Sequence, residues 1–146
     1  IIDSLDEPVI FDEEEIAFKS GTADLLTSKD QVKEKLSDIA NILKEKKDKK
    51  ILLAGTTATY GSQASCVDLS YQRCETIKNI FLEMGIERDR IEMVGLGFEN
   101  HPFHKEDIMA DGSLDEKIAQ KNRSVIVVPM DSDLAKELLV KKGGLL

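Results

Sequence analysis

Apolar residues along this chain occur both as short continuous runs and at the spacing of helix faces. Continuous runs at residues 16–18, 51–54, 91–96 and 125–128 predict four β-strands. The run at residues 51–54 is apolar throughout, which is typical of a strand buried on both faces. Apolar residues that recur every three or four positions predict two main helices. The two sets are Val32, Leu36, Ile39, Ala40 and Leu43, and then Leu69, Ile77, Ile80, Phe81 and Met84.

Residues that commonly begin and end helices mark the limits of these two helices. Ser28 is predicted to cap the first helix, with Gln31 three residues later as its capping-box partner. Gly85 is predicted to end the second helix. Ile86 then lies where a glycine-ended helix makes its hydrophobic contact.

The last third of the chain is mostly polar until its final strand. Within residues 98–121, a short helix is expected around residues 114–119. After the last strand, Asp131 is predicted to cap a final helix that runs through Val140. The glycines at residues 143–144 predict a frayed tail.

The alternation of strands and helices predicts an α/β fold. We expect a two-layer sandwich in which a mixed sheet of about four strands packs on two main helices, with an added C-terminal helix. Strand–helix–strand units should give parallel pairing and right-handed crossovers. Two helices leave one sheet face poorly covered, so the N-terminal segment or the final helix is expected to pack there. Residues 1–146 form one domain by size, with an acidic lead-in at 1–15, a core at 16–128 and a C-terminal helix and tail at 129–146.

The charge distribution narrows the classes of partner. The chain is 41% hydrophobic and 33% charged, a globular composition, with a formal net charge of −8. Seven acids crowd its first residues: Asp3, Asp6, Glu7, Asp12, Glu13, Glu14 and Glu15. Such a field repels nucleic acid, which needs a basic face, and disfavours an anionic membrane surface. We interpret the acidic segment as a solvated, partly mobile lead-in.

Targeting signals and membrane spans are not evident in the sequence. No apolar run approaches the roughly 20 residues that a membrane helix needs, and no secretory signal is recognisable. The sequence starts at Ile1 rather than Met, so an upstream export signal, anchor or domain is expected to precede it.

The two cysteines are not expected to form a disulfide. If both lie on one helix, the eight residues between Cys66 and Cys74 separate them by roughly 12 Å. A disulfide needs Cα atoms within about 7 Å, so the pair would form only if Cys66 lay in the loop before the helix. Two cysteines alone are also too few for a metal site.

Neither a metal, a cofactor nor catalysis is expected. His101, His104 and Asp107 are the candidate metal ligands, but Pro102 breaks any helix between the histidines, and loop histidines are usually solvated. Thr hydroxyls near residue 57 lack a histidine base nearby in sequence, and a nucleophile needs a base within hydrogen-bond reach. An enzyme therefore remains the hypothesis with least support.

Arg73 is the strongest candidate for ligand binding. It follows the small-residue turn after the second predicted strand, and we expect it near the start of the next helix, facing a cleft made by the neighbouring loop. A guanidinium in that position can hold a small carboxylate through two parallel hydrogen bonds.

The segments at residues 16–18, 55–61, 66–74 and 122–125 resemble, in this order along the chain, motifs of the OmpA-like peptidoglycan-binding domain. The turn after the second strand has the family pattern Gly-His-Thr-Asp-x-x-Gly, and here reads Gly55-Thr56-Thr57-Ala58-Thr59-Tyr60-Gly61. The family helix pattern is Asn-x-x-Leu-Ser-x-x-Arg-Ala, and here it reads Cys66-Val67-Asp68-Leu69-Ser70-Tyr71-Gln72-Arg73-Cys74. The family's late Asn-Arg-Arg-Val is similar to Asn122-Arg123-Ser124-Val125, and its early Ile-x-Phe to Ile16-Ala17-Phe18.

The resemblance implies a non-catalytic binding module of the cell envelope, on its periplasmic or extracytoplasmic side. Family members typically bind the diaminopimelate of the peptidoglycan stem peptide, so the implied partner is that peptide or another small carboxylate, with an envelope protein as a further partner. The implied ligand-binding residues are Arg73, Thr57, Ala58, Thr59, Leu69, Asn122, Arg123 and Asp68. Thr57 and the loop amides are expected to remain available for a carboxylate.

The resemblance departs from the family at the position of the acid, which falls on Ala58. The family's helix Asn falls on Cys66, and Phe98 stands where Glu is frequent. Losing one partner of a desolvated charge pair costs about 2–5 kcal/mol, or roughly thirty-fold to several thousand-fold in affinity. The alternative is therefore a degenerate scaffold that has lost diaminopimelate binding and serves as an interaction or structural domain.

Individual residues also keep open alternatives. Asp68 is either a substitute acid, a partner of Arg73 or a helix cap. Arg73 is either a ligand-binding residue or a structural guanidinium that binds loop carbonyls. Asn122 and Arg123 either line the site or only seat the last strand through backbone bonds.

Overall fold

The computed structural model describes residues 4–144, with side chains described as far as residue 140. Within them, the sheet contains β1 (Val9–Phe11), β2 (Ile51–Thr56), β3 (Ile91–Gly97) and β4 (Ser124–Pro129). The helices are α1 (Lys29–Glu45), α2 (Gln63–Glu83), α3 (Glu116–Asn122) and α4 (Asp133–Gly144). One 3-10 turn, Arg88–Arg90, leads into β3.

The four strands form one mixed sheet in the order β1-β4-β2-β3. β2 and β3 are parallel and are joined through α2, whereas β4 is antiparallel to both β1 and β2. This arrangement confirms the predicted α/β sandwich and the parallel pairing of the strand–helix–strand unit. β4 is the last strand in sequence, yet it lies inside the sheet.

The first strand lies elsewhere than the sequence predicted. Residues 16–18 contain only an isolated bridge from Phe18 to Leu25, while Val9–Phe11 pairs with β4. Leu5 and Phe11 are buried in the main core, whereas Asp6, Glu7 and Glu14 are exposed, so the interpretation of a solvated lead-in holds for these acids but not for the two apolar residues; Asp3 lies outside the described residues. Both segments are short apolar triplets, and pairing with a strand more than a hundred residues away decides between them.

The ends of α1 and α2 confirm the predicted helix boundaries. The Ser28 hydroxyl caps α1 by accepting a hydrogen bond of 3.2 Å from the Gln31 amide. At the end of α2, Gly85 adopts a positive φ of 96°, and the amide of Ile86 donates to the carbonyl of Phe81. That pair of features is the Schellman motif, which needs a residue without a Cβ penalty after the cap.

The C-terminal third differs from the sequence prediction in detail. α3 overlaps the helix expected around residues 114–119 but is shifted towards the C-terminus, ending at Asn122. Ser132, rather than Asp131, caps α4, because its hydroxyl directly precedes the first helical residue and accepts from the Ala135 amide at 3.2 Å. The helix also extends to Gly144, beyond its predicted end at Val140.

Helices cover both faces of the sheet. α1 and α2 pack on one face, where they form the larger apolar cluster with Leu53, Ile91 and Val127. On the opposite face, Ala135 and Leu138 of α4 join Leu52, Val94 and Ile126, among other residues. The final helix therefore fills the face that two helices alone leave open. Every residue of β2 is buried, as its apolar run predicted.

Two glycines set the distance between α2 and the sheet. Gly55 and Gly95 are register partners on the parallel strands β2 and β3. A Cβ on Gly55 would meet the Ser70 carbonyl, and one on Gly95 would meet the Val67 carbonyl. The backbone of α2 therefore lies directly on these strands, which fixes the height at which Arg73 is held.

Candidate functional site

A cleft of about 730 Å³ opens beside the loop that follows β2. Of the predicted site residues, five line it: Thr57, Ala58, Leu69, Arg73 and Arg123. The cleft also contains two carboxylates that the sequence did not single out, those of Glu13 and Glu116. Two guanidinium groups and two carboxylates thus share one cleft, so its formal charge is balanced.

Arg73 lies in the middle of α2, about three turns after Gln63, rather than near the helix start. Its side chain is 7% exposed, and its Cζ lies 5.0 Å from the centre of the Phe18 ring, a cation–π contact. Nε donates to the Thr22 carbonyl at 2.8 Å. The structural interpretation of Arg73 is thus correct for one donor. Among the described residues no other hydrogen bond engages Arg73, so its two terminal nitrogens keep their donors for the cleft.

The charge of Arg73 is only partly compensated within the protein. Burial lowers the pKa of Arg73, the negative charge of Glu13 acts in the opposite direction, and the positive charge of Arg123 lowers this pKa further. A guanidinium stays protonated under such conditions because its reference pKa is so high. The result is a buried cation whose environment favours an additional anion.

Arg123 is held at the cleft by two carboxylates. One terminal nitrogen donates to Glu116 Oε1 at 2.6 Å and to Glu13 Oε2 at 3.0 Å, and the other donates to Glu116 Oε2 at 3.3 Å. Hydrogen bonding to Glu116 raises the pKa of Arg123, partly offset by burial and reinforced by Glu13. The same contact lowers the pKa of Glu116. Arg123 therefore acts through its side chain and does more than seat β4.

Asn122 and Thr59 support the cleft from behind rather than line it. The Asn122 side chain is buried and donates to the Lys105 carbonyl at 2.7 Å and to Asp107 Oδ2 at 3.0 Å. The Thr59 amide donates to the same Asp107 oxygen at 2.9 Å. Asn122 also accepts through its backbone carbonyl from the Thr56 hydroxyl at 2.6 Å. The network ties the loop after β2 to residues 105–107.

Asp107 is the centre of that network and is fully buried. Burial acts to raise its pKa, but hydrogen bonds from Thr59 and Asn122 and the charge of His104 outweigh it, so the pKa lies below the ordinary value. Its Oδ1 oxygen is buried without a hydrogen-bond partner among the described residues. The Oδ2 oxygen of Asp107 thus accepts both hydrogen bonds, from Thr59 and Asn122, and holds the loop after β2 in place.

The loop after β2 offers fewer donors than the sequence suggested. The Thr57 amide donates to the Gly97 carbonyl at 3.0 Å, and its hydroxyl donates to the Ala58 carbonyl at 2.9 Å. The Thr59 amide is engaged by Asp107. The prediction that Thr57 and the loop amides remain available is therefore wrong for these groups, because they already donate to Gly97, Ala58 and Asp107.

Asp68 has none of the roles left open for it. It lies on the exposed side of α2, where it accepts a hydrogen bond of 3.0 Å from Gln72 Nε2. The cap of α2 is Ser62, whose hydroxyl accepts from the Ser65 amide at 3.1 Å. Five residues before Arg73 on α2, Asp68 lies outside the lining of the cleft.

Both cysteines are buried free thiols on α2, which confirms that they do not pair. Cys66 lines the cleft, and its thiol donates to the Tyr60 carbonyl at 3.0 Å. Cys74 lies beneath the helix, and burial raises its pKa. Among the described residues no group of three or more His, Cys, Asp or Glu side chains is arranged to hold a metal ion.

Glu13 and Glu116 are the site residues that sequence reasoning missed. Glu116 opens α3 beside the capping Asp115, which is a common place for an acid at a helix N-terminus. Glu13 belongs to an acidic run, and its partner Arg123 is 110 residues away. The sequence did place Asn122 and Arg123 among the predicted site residues. That motif did not indicate which carboxylates Arg123 would bind.

Comparison with known proteins gives one family and a consistent set of folds. The family model described as the OmpA family matches residues 17–112. Outer membrane protein P5 of Haemophilus influenzae is 31% identical over 86 residues, which are 59% of this chain and 23% of P5. This chain thus spans less than a quarter of the length of the curated relatives it matches.

Solved structures share the fold at low sequence identity. The peptidoglycan-associated lipoprotein from Burkholderia pseudomallei has a TM-score of 0.57 at 21% identity, covering 84% of this chain and 89% of that one. The periplasmic domain of Helicobacter pylori MotB has a TM-score of 0.59 at 16% identity, covering 100% and 87% of the two chains. Within residues 4–144, the structure contains no helix whose length and apolarity would let it cross a membrane.

Proposed function

This chain belongs to the OmpA family, and we propose that it is a non-catalytic module of the cell envelope that holds a carboxylate of the peptidoglycan stem peptide through Arg73. Two of its relatives support this assignment by name, one as an outer membrane protein and one as a peptidoglycan-associated lipoprotein. The net charge of −8 argues against nucleic acid as the partner.

The observation that carries the proposal is the bonding of Arg73. The side chain is 7% exposed, but only its Nε has a protein partner among the described residues. The two terminal nitrogens make no hydrogen bond within the described residues and are not among the fully buried unpaired atoms, so they remain accessible from the cleft to a ligand acceptor. A carboxylate matches their geometry, because it accepts two parallel hydrogen bonds from a guanidinium.

A second candidate function rests on Ala58. This residue is 4% exposed, lines the cleft at the family's acid position and offers no charge to an ammonium group. On this view the scaffold has lost wall binding and serves as an interaction or structural domain, with another envelope protein as its partner. The two candidates differ in whether the unmodified chain binds a stem peptide at all.

Calorimetric titration with a soluble stem peptide that contains diaminopimelate tests the proposal. We expect saturable binding by the unmodified chain and none by Arg73→Met, which keeps an unbranched side chain as far as the position of Nε but removes the donors. The matched control is Arg88→Met, because Arg88 is exposed and lies away from the cleft. Binding by Arg73→Met equal to that of the unmodified chain would refute the role of Arg73.

The variant Ala58→Asp separates the two candidate functions. If the unmodified chain does not bind and Ala58→Asp does, the scaffold has lost its ligand and the second candidate is correct. If neither protein binds, the family assignment extends to the fold but not to the ligand.

A further inference from the structure

The charges in the cleft specify more than a carboxylate ligand, and this inference rests on the function proposed above. Glu13 and Arg73 line the same cleft, and the negative charge of Glu13 partly offsets the effect of burial on the pKa of Arg73. A cleft lined by both a guanidinium and a carboxylate suits a ligand end that carries both a negative and a positive group. A simple carboxylate would satisfy only one of them.

Glu13 is held in place from both its backbone and its side chain. Asp12 forms a turn in which its Oδ1 accepts from the Glu14 amide at 3.0 Å and its carbonyl accepts from the Ile16 amide at 2.9 Å. The Glu13 amide donates to the Gln120 carbonyl at 3.3 Å. These bonds fix the turn that follows β1 and aim Glu13 at the cleft.

One oxygen of Glu13 remains for a ligand. Oε2 accepts from Arg123 at 3.0 Å, and the hydrogen bonds of the described residues leave Oε1 without a partner. Glu116 differs, because both of its oxygens accept from Arg123 and its side chain is 60% exposed. The Glu13 side chain is 30% exposed, which places it deeper in the cleft than Glu116.

We propose that Glu13 receives an ammonium group of the ligand while Arg73 holds its carboxylate, so that the cleft selects an end bearing both groups on one carbon. Arg123 is then a positioning residue, since it fixes Glu13 through Oε2 and leaves Oε1 free to accept. The acid that is missing at Ala58 is thereby supplied from a different element of the fold, the turn after β1.

The test compares two ligands that differ only in the ammonium group. The first is the stem peptide with diaminopimelate, and the second is the same peptide with 2-aminopimelate in its place, which keeps the amine of the peptide bond but lacks the terminal amine. The variants are Glu13→Gln and, as a matched control, Glu14→Gln, because Glu14 is an exposed neighbour that does not line the cleft.

We expect Glu13→Gln to bind the first peptide about tenfold to a hundredfold more weakly, since it loses a charge-assisted hydrogen bond. Its affinity for the amine-free peptide should stay within about twofold of that of the unmodified chain, and Glu14→Gln should change neither. Glutamine keeps an oxygen acceptor for Arg123, and circular dichroism checks that the variant folds.

Other outcomes separate this inference from the proposed function. Unchanged binding of the first peptide by Glu13→Gln would overturn the role of Glu13 while leaving that of Arg73 intact. Equal losses for both peptides would also overturn it, because the effect would not depend on the ammonium. If the unmodified chain binds neither peptide, the proposed function itself fails.

An ammonium and a carboxylate on one carbon also occur in free amino acids, so glycine serves as a third ligand. Glycine binding that is weakened by Glu13→Gln supports the role of Glu13 and shifts the source of the ligand from the wall to free amino acids. Absence of glycine binding, together with tight binding of the peptide, supports both the role and the wall.

Discussion

Arg73 and Arg90 are buried to the same extent, at 7% and 6% exposure, but they differ in what surrounds their guanidinium groups. Arg90 donates to the carbonyls of Leu43, Lys46 and Lys49 at 2.6–3.1 Å and also contacts Glu87 at 3.4 Å. Arg73 donates to a single carbonyl.

The comparison shows that burial alone does not identify a binding residue. Arg90 closes the C-terminal end of α1 and the connection to β2, where carbonyls without helix partners are concentrated. Its charge and its donors are used in contacts within the folded protein. Arg73 has the same chemistry, but its donors are retained beside an open cleft. The number of unused donors, rather than the depth of the side chain, distinguishes the two sites.

Arg90→Met should have the largest effect on stability. The change removes the guanidinium donor from three carbonyls, of which that of Lys46 still accepts from the Lys49 amide, and we expect a loss of about 3 kcal/mol or more in the free energy of unfolding. Urea denaturation followed by circular dichroism measures it, with Arg88→Met at the exposed neighbouring position as control. A loss below about 1 kcal/mol would show that Arg90 is not the structural residue described above.

Gly95→Ala should lower stability by about 1–3 kcal/mol, because its Cβ meets the Val67 carbonyl and forces α2 off the sheet. Since Arg73 is carried by α2, ligand binding should weaken in the same variant without any change to the charged residues. Glu92→Ala, at an exposed position of β3, is the control. Full stability in Gly95→Ala would contradict the close contact of helix and strands.

Asp107→Asn should cost about 1 kcal/mol at pH 7, because lost hydrogen bonding to the carboxylate is partly offset by removal of a buried charge. The pKa of Asp107 in the folded protein lies below its ordinary value. Its stabilising contribution is therefore present above the unfolded pKa of about 3.9 and is lost as the pH falls through the folded pKa. Urea denaturation between neutral and acidic pH should show the two proteins converging below about pH 4. A constant difference would exclude this titration.

Arg73→Met should change stability least, by less than about 1 kcal/mol in either direction. It removes one hydrogen bond to the Thr22 carbonyl, but also relieves the cost of a buried charge with few partners. Urea denaturation alongside Arg90→Met makes the comparison direct, since both variants carry the same substitution at equal burial. A loss as large as that of Arg90→Met would mean that Arg73 is structural as well.

Structural features that depend on neighbouring residues in the sequence were predictable, and features that depend on contacts between distant parts of the chain were not. The cap at Ser28 and the glycine end at Gly85 involve residues within five positions, and both are confirmed. β1 was misplaced because Ile16-Ala17-Phe18 and Val9–Phe11 have equal local merit, and only β4 decides between them.

The residues of the candidate site show the same distinction between local motifs and distant contacts. The motif around Arg73 predicted that it lies on a helix beside the cleft, although it occupies the middle of α2 rather than its start. Glu13 could not be predicted, because nothing in an acidic run indicates which carboxylate contacts an arginine 110 residues away. The availability of the loop amides for a ligand was overestimated for a similar reason. The Thr59 amide donates to Asp107, which lies 48 positions further along the chain.

The interior position of β4 constrains when the cleft can exist during synthesis. β1 has β4 as its neighbour in the sheet, and β4 is the last strand to leave the ribosome. A nascent chain that already carries α1, β2, α2 and β3 therefore still has β1 without its pairing strand, and Glu13 without Arg123. The charged cleft is completed only when the final strand inserts between β1 and β2, so a truncated product can retain Arg73 and yet lack the site.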